Sequence, residues 1–388
     1  MNLGIPKEIV EGETRVAIVP ESVGKLTGKL GHTVRIESGA GLASGFSDAE
    51  YEKEGAEVVK DAASLYSQSD VILKVQRPID HPGLGKHELD AMKQGAMYIG
   101  FFQPLNHPEL AQQAAKTGVN VIAMDQVPRI TKAQRMDVLS SQTNLAGYKA
   151  TLIAAESLKK IFPLMMTAAG TISPAKVIIL GAGVAGLQAI ATAKRLGAVV
   201  EVSDVRPAVK EQVLSLGGRY IEPPEEEKTE GEESMEDKGG YAKQASEDFI
   251  RRQQEILTEH LKDADAVITT ANVPGRKAPL LITDAMLEVM QPGAVIVDMA
   301  AESGGNCSVT KANETVVVNG VSVIGVTNLP ARVPYHASQL YSRNILSLIE
   351  YLTKEAVIEL DLEDEIVQGA LITNGGEVIH EPTKKLLG

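Results

Sequence analysis

The sequence has little cysteine, a deficit of positive charge and no long apolar run, and each lack excludes something. A single cysteine, Cys307, in 388 residues rules out a disulfide framework and a cysteine-rich metal site. Its bland reading is a small buried hydrophobe. Lysine and arginine number 38 against 51 aspartates and glutamates, for a formal net charge of −13. That balance argues against nucleic-acid binding and against a basic membrane-surface patch, and favours solubility or a positively charged protein partner. No apolar stretch is long enough to cross a bilayer. The N-terminal run MNLGIPKEIVEGETR is broken early by charge and lacks the apolar core of a signal peptide. The expectation is a cytosolic protein without its own membrane anchor. Apolar content of 44% and charged content of 23% are ordinary for a globular chain, and the length predicts two or three domains.

The most informative stretch present is 175–204, AKVIILGAGVAGLQAIATAKRLGAVVEVSD. An apolar run leads into Gly181-Ala-Gly183-Val-Ala-Gly186; a helical pattern, a second apolar run and Asp204 follow. Gly181 permits a tight strand-to-helix turn, Gly183 lets the backbone approach a pyrophosphate, and Gly186 lets the helix pack on the strand. The helix N-terminus turns unpaired N–H groups toward the phosphates. Asp204 falls where a carboxylate binds both ribose hydroxyls of NAD and repels the extra phosphate of NADP. The bland alternative is a glycine-rich turn in another α/β fold.

Around this stretch, β-rich runs alternate with helical patterns. Residues 3–5, 33–37, 71–75, 97–101 and 119–124 read as strands. Residues 21–30, 48–55, 61–68, 88–94 and 108–117 read as helices. Residues 137–161 read as a long bridging helix. Beyond Asp204, 209–216 and 241–261 read as helices, and 219–221, 266–270, 294–299, 316–318 and 321–326 as strands. A helix over 338–352 returns the chain to the first domain, and 357–380 reads as strands about a turn at 374–376. Alternation of this kind predicts two Rossmann-like, doubly wound parallel-sheet domains joined by long helices. The first is discontinuous, residues 1–142 and 331–388; the second, 143–330, carries the fingerprint. Residues 222–240, EPPEEEKTEGEESMEDKGG, are too acidic and too poor in apolar side chains to offset their ordering entropy. They read either as a disordered surface loop or as a mobile lid near the cofactor edge.

Residues 124–148 collect polar groups between apolar elements. Arg129, Gln134, Asp137 and Ser140 cluster at the start of the bridging helix, where Asp137 or Ser140 could simply cap it. Here a resemblance adds to the pattern. PRITKAQRMDVLSSQTNLAGY, MTAAGTISPAKVIILGAGVAGLQAIATAKRLGA, GGYAKQ, TTANVPGRKAP and GGNC together closely resemble domain I of the proton-translocating nicotinamide nucleotide transhydrogenases, over essentially the whole chain. The resemblance implies that Arg129, Gln134, Asp137 and Ser140 hold the nicotinamide and its ribose. It implies adenosine and pyrophosphate contacts from Gly181, Gly183, Val184, Ala185, Gly186, Asp204 and Val205, and further nucleotide contacts from Gln253, Thr270 and Ala271. Tyr241 matches the tyrosine of a mobile loop that closes over bound nucleotide. The chain resembles the separate α1-type subunit of a multi-subunit enzyme. That implies NAD(H) on this chain, a homodimer with residues 167–175 in the contact, an NADP(H)-binding subunit and a membrane-spanning proton-channel subunit. The location implied is the cytoplasmic face of the membrane, reached through those partners.

The same fold resembles alanine dehydrogenase. Arg15 and Lys74 match positions that grip its substrate carboxylate, but transhydrogenases share both. The catalytic histidine and aspartate of that enzyme align with Gln103 and Glu302. Oxidising an amino acid through an imine needs a titrating group, and glutamine does not titrate; His107 is displaced within the loop. Hydride transfer between two nicotinamides needs apposition and exclusion of water instead. A third possibility is a silent NAD-sensing module, against which the polar loop of residues 129–140 weighs.

Overall fold

A computed structural model describes residues 1–224, 247–272 and 275–388. The chain forms two compact units, residues 1–142 with 330–388, and residues 143–329.

In the first unit, β1 (Asn2–Ile5), β2 (Thr33–Glu37), β3 (Glu57–Val59), β4 (Val71–Leu73), β5 (Met97–Gly100) and β6 (Asn120–Ala123) are parallel, in the order β6-β5-β4-β1-β2-β3. Leu371–Asn374 extends the sheet antiparallel to β6, and Glu377–Val378 pairs beyond it. Successive residues of one strand feed opposite faces, as the period of two requires. Val71 and Leu73 enter one apolar core, and Ile72 enters the other.

The second unit repeats the plan. Its strands are β7 (Lys176–Leu180), β8 (Val199–Ser203), β9 (Arg219–Ile221), β10 (Ala266–Thr269), β11 (Val295–Asp298), β12 (Thr315–Val318) and β13 (Val321–Gly325). They run in the order β9-β8-β7-β10-β11-β13-β12. Only β12 is antiparallel to its neighbour. Val177 and Ile179 pack into one core, Ile178 and Leu180 into the other. Each fully buried side chain of this kind stabilises the fold by about 1.5–3 kcal/mol. The strand order reverses between β7 and β10. Doubly wound folds bind ligands at such a point, outside the carboxyl ends of the strands.

The elements differ from expectation in a few places. The helix α1 (Val138–Ser157) starts after Asp137 and stops short of 161. Residues 357–380 are not all strand and turn: Glu365–Ala370 is helical because Asp364 caps it, accepting from the Ile366 and Val367 amides at 2.9 and 3.3 Å. The turn at Gly375 and Gly376, both at positive φ, joins two antiparallel strands as expected. The strand β3, the helix Asp284–Val289 and an exposed hairpin, Met165–Thr167 with Gly170–Ile172, were not foreseen. The helix expected from Tyr241 is seen as Glu247–Leu261; Tyr241 and residues 225–240 lie outside the described residues.

Candidate functional site

At the switch point of the second unit, β7 ends at Leu180 and the helix α2 (Val184–Arg195) begins three residues beyond Gly181. The three glycines have different physical reasons. Gly181 sits at φ +101°, and a methyl group there would lie 2.5 Å from the Thr270 hydroxyl oxygen. A methyl at Gly186 would lie 1.9 Å from the Gly181 carbonyl oxygen, so only a hydrogen lets the helix approach the strand. Gly183 is different. Its backbone is extended, φ −76° and ψ −167°, which any residue adopts, and a methyl there would meet nothing within 4 Å. Neither the backbone nor a described neighbour demands glycine at 183; a close-lying ligand would. Gly147 of α1 approaches just as closely: its methyl would lie 2.2 Å from the Ala185 carbonyl oxygen.

Asp204 follows the end of β8 and is 7% exposed. Its Oδ1 accepts from the Arg206 amide at 2.8 Å and the Arg206 Nε at 2.9 Å. Its Oδ2 accepts from the Ala182 amide at 2.7 Å and the Arg206 Nη2 at 2.8 Å. The bond to Ala182 ties the carboxylate to the glycine turn. Tyr220 donates its hydroxyl to the Asp204 carbonyl at 2.7 Å, and burial, with the nearby Asp204 charge, lifts its pKa to about 12. Val184 and Ala185 form the first turn of α2, and Val205 follows Asp204 directly. Gln253 directs its side-chain amide at the Ser203 hydroxyl, 3.5 Å away. Thr270 donates to the Leu180 and Gly181 carbonyls at 3.2 and 3.1 Å, bracing the turn from β10. The Asn306 amide nitrogen donates to the Ala271 and Pro279 carbonyls, both at 2.8 Å. Asp298 in turn collects five donors, among them the Asn306 and Cys307 amides and the Thr310 hydroxyl, and fixes the AAESGGNC segment. In that segment Glu302 bonds the Asn328 amide at 3.1 Å.

In the first unit, Arg129, Gln134 and Asp137 line one cleft of about 240 Å³, together with Pro128, Ile130, Thr131 and Ala133. Gln134 is exposed on a short 3-10 helix, Thr131–Met136. Asp137 precedes α1, and its carboxylate accepts from the Ser140 amide at 2.8 Å and the Ser140 hydroxyl at 2.5 Å. Asp137 therefore does cap the helix, and Ser140 is held by that cap rather than lining the cleft.

The switch point of this unit lies between β1 and β4 and holds no glycine fingerprint. It holds a buried ion-pair network. Lys74, wholly buried at the end of β4, lies 2.5 Å from Glu88 and 3.7 Å from Glu8. Arg15 is bidentate on Glu13 at 2.7 and 2.8 Å and donates to the Gln142 side chain at 2.8 Å. Burial raises the Glu8 carboxyl to about 7, with Lys74 opposing and Glu13 and Glu88 adding to the rise. Burial would raise Glu13 as well, but the hydrogen bonds and charge of Arg15, with the Gln76 amide, hold it at about 2. Both cations that could grip a substrate carboxylate are thus already paired with glutamates. Gln103, beyond β5, adopts φ +54° and donates its amide to Asp125 at 3.1 Å. His107 pairs with Glu109 at 3.2 Å in an exposed position.

The chain matches the family described as alanine dehydrogenase/PNT, by the N-terminal domain over residues 4–146 and the C-terminal domain over residues 150–381. It is 45% identical over 382 residues to the first part of NAD(P) transhydrogenase subunit alpha of Rhodospirillum rubrum, covering 98% of each chain. The crystal structure of transhydrogenase from Sinorhizobium meliloti superposes with a TM-score of 0.85 at 43% identity, covering 98% of this chain and 100% of that one. Alanine dehydrogenase of Bacillus subtilis is 27% identical over 396 residues, covering 100% of this chain and 95% of that one.

Proposed function

The chain belongs to the alanine dehydrogenase/PNT family, and from that premise we propose that it is the NAD(H)-binding subunit of a proton-translocating NAD(P) transhydrogenase. Bound NADH supplies the hydride, which passes directly to NADP⁺ held on a partner subunit. The residues of this chain bind, orient and shield. Gly183 supports the nucleotide side of this reading, because the open space above it suits a pyrophosphate and suits no described side chain. The start of α2, with Val184, Ala185 and Gly186, offers its N–H groups to the phosphates. Asp204 takes the ribose hydroxyls, and Val205, Gln253, Thr270 and Ala271 complete the adenosine side. Arg129, Gln134, Asp137 and Ser140 hold the nicotinamide and its ribose; Tyr241, which the resemblance assigns to the nucleotide, lies outside the described residues.

Gln103 carries the choice of chemistry. It stands where the alternative enzyme needs a titrating histidine, and Arg15 and Lys74 are consumed by Glu13 and Glu88. Without a histidine at that position, imine formation and hydrolysis lose the acid/base they use there, whereas hydride transfer between two rings depends on position. Supply of NADH, pyruvate and ammonia to the pure chain should give no oxidation above background. Addition of an NADP-binding transhydrogenase subunit should give NADH-dependent reduction of an NADP analogue. Pyruvate- and ammonia-dependent turnover would restore the amino-acid oxidoreductase reading.

The partners in this reading are a second copy of the chain, the NADP(H)-binding subunit and a membrane-spanning proton channel, with the chain at the cytoplasmic face. No helix among the described residues is long and apolar enough to cross a membrane. The hairpin of residues 165–172 supports the second copy: Leu164, Met165, Met166 and Ile172 are exposed, Met166 by 76%. A cluster of exposed apolar side chains of this kind is what a subunit contact covers.

A further inference from the structure

We propose that Arg206 is a specificity-determining residue: its guanidinium occupies the ribose sites of Asp204 and must be displaced by a nucleotide with two free hydroxyls. The proposal rests on the reading of Asp204 as the ribose ligand. A carboxylate offers about four lone-pair positions, and Asp204 uses all four. Two are taken by backbone amides, those of Ala182 and Arg206, at 2.7 and 2.8 Å. These hold the carboxylate in place whatever else binds. The other two, one on each oxygen, are taken by Nε and Nη2 of Arg206, at 2.9 and 2.8 Å. A planar guanidinium and a vicinal diol present the same pattern: two donors, side by side, one for each carboxylate oxygen. Arg206 therefore stands in for the diol.

The physical reason for the arrangement is burial. The Asp204 side chain is 5% exposed, and a charge so desolvated is costly unless its lone pairs are satisfied. Arg206 satisfies them until nucleotide arrives. Binding is then an exchange, in which the diol takes the two positions and the guanidinium leaves. The stability of the Asp204–Arg206 pair is subtracted from the apparent affinity, as for any competing bound state. The displaced guanidinium remains tethered two residues from Asp204, beside the ribose edge. A nucleotide with a 2′-phosphate brings one hydroxyl where two are needed and sets a dianion against the carboxylate. While Asp204 is charged, Arg206 is better paired with it than with that phosphate. Removal of the Asp204 charge frees Arg206 for the phosphate.

Titration of NADH and NADPH by nicotinamide fluorescence, with stopped-flow association rates, tests this on the wild type, R206Q, R206K, D204N and the double variant. R206Q should bind NADH roughly tenfold more tightly and associate faster, the scale of one charge-assisted pair. R206K, which cannot span both oxygens, should fall between. D204N should lose most NADH affinity and gain NADPH affinity, and the double variant should lose that gain. Wild-type affinity and rate for NADH in R206Q, in a protein with an unchanged melting curve, would overturn the proposal. If instead D204N bound NADH as the wild type does, the reading of Asp204 itself would fail, whatever R206Q showed.

Discussion

At the scale of single residues, the three fingerprint glycines separate folding from binding. At Gly186 the obstacle to a side chain is protein, the Gly181 carbonyl; at Gly183 it is not. Gly186→Ala should destabilise the chain by roughly 1–3 kcal/mol through overpacking. Gly183→Ala should leave the melting temperature unchanged and sharply weaken NADH binding. Parallel thermal melts and NADH titrations check both; a Gly183→Ala protein that binds normally would remove the pyrophosphate from that turn. In the cleft lined by Gln134, Gln134→Ala should slow hydride transfer strongly in the reconstituted complex while changing NADH affinity little. An interaction made mainly in the reacting geometry affects rate more than binding. Single-turnover transfer to an NADP analogue decides it, and a wild-type rate would release this residue from the role.

At the scale of elements, the hairpin of residues 165–172 is the least explained by its own unit. Its strands pair only with each other, and a lone two-stranded ribbon is marginal in water. A cover of apolar contacts from a second copy would stabilise it. Met166→Asp together with Ile172→Asp should convert a dimer to monomer in light scattering while leaving the melting curve largely intact; an unchanged mass would move the subunit contact elsewhere. The elements also show what a sequence carries. The strand at 33–37 and the helix at 108–117 were expected to the residue, because apolar period and flanking glycine or proline mark both ends. The helix Glu365–Ala370 was missed: it is six residues long, too short for its period to show. The glycine turn was legible because the positive φ at 181 and the close packing at 186 call for glycine, and Asp204 because ribose hydroxyls call for a carboxylate at that distance from the turn. Arg206 was not, because an arginine three residues past a strand end has no pattern of its own, and only the folded chain brings its guanidinium to the carboxylate.

At the scale of the whole molecule, two sheets of one plan use their switch points in opposite ways. One keeps a glycine turn and a carboxylate, the other a network of three glutamates, one arginine and one lysine. The network gives a pH dependence with a definite sign. Glu8 has a folded pKa of about 7 against an ordinary 4.5. Between these values the unfolded chain releases its proton and the folded chain keeps it, so stability from this group falls as pH rises and is gone above about 7. Glu13, held at about 2, acts oppositely and loses its contribution only below the ordinary carboxylate range. Glu8→Gln should therefore be the more stable protein at pH 8 relative to pH 5, compared with wild type, by about 2–3 kcal/mol. Denaturant melts at the two pH values measure it, and parallel pH profiles for wild type and variant would show that Glu8 binds no extra proton.

The placement of residues 143–329 between the two halves of the first unit also sets an order of events during synthesis. The strand Asn120–Ala123 leaves the ribosome early, yet its antiparallel neighbour, Leu371–Asn374, arrives some 250 residues later. Until then one edge of an apolar sheet stands open, with the Val119 carbonyl awaiting the Thr373 hydroxyl. The continuous second unit has all its strands in hand first. The unit that begins the chain is thus the last able to finish folding, and its waiting edge is where a nascent chain is most exposed to wrong pairing and most in need of a chaperone.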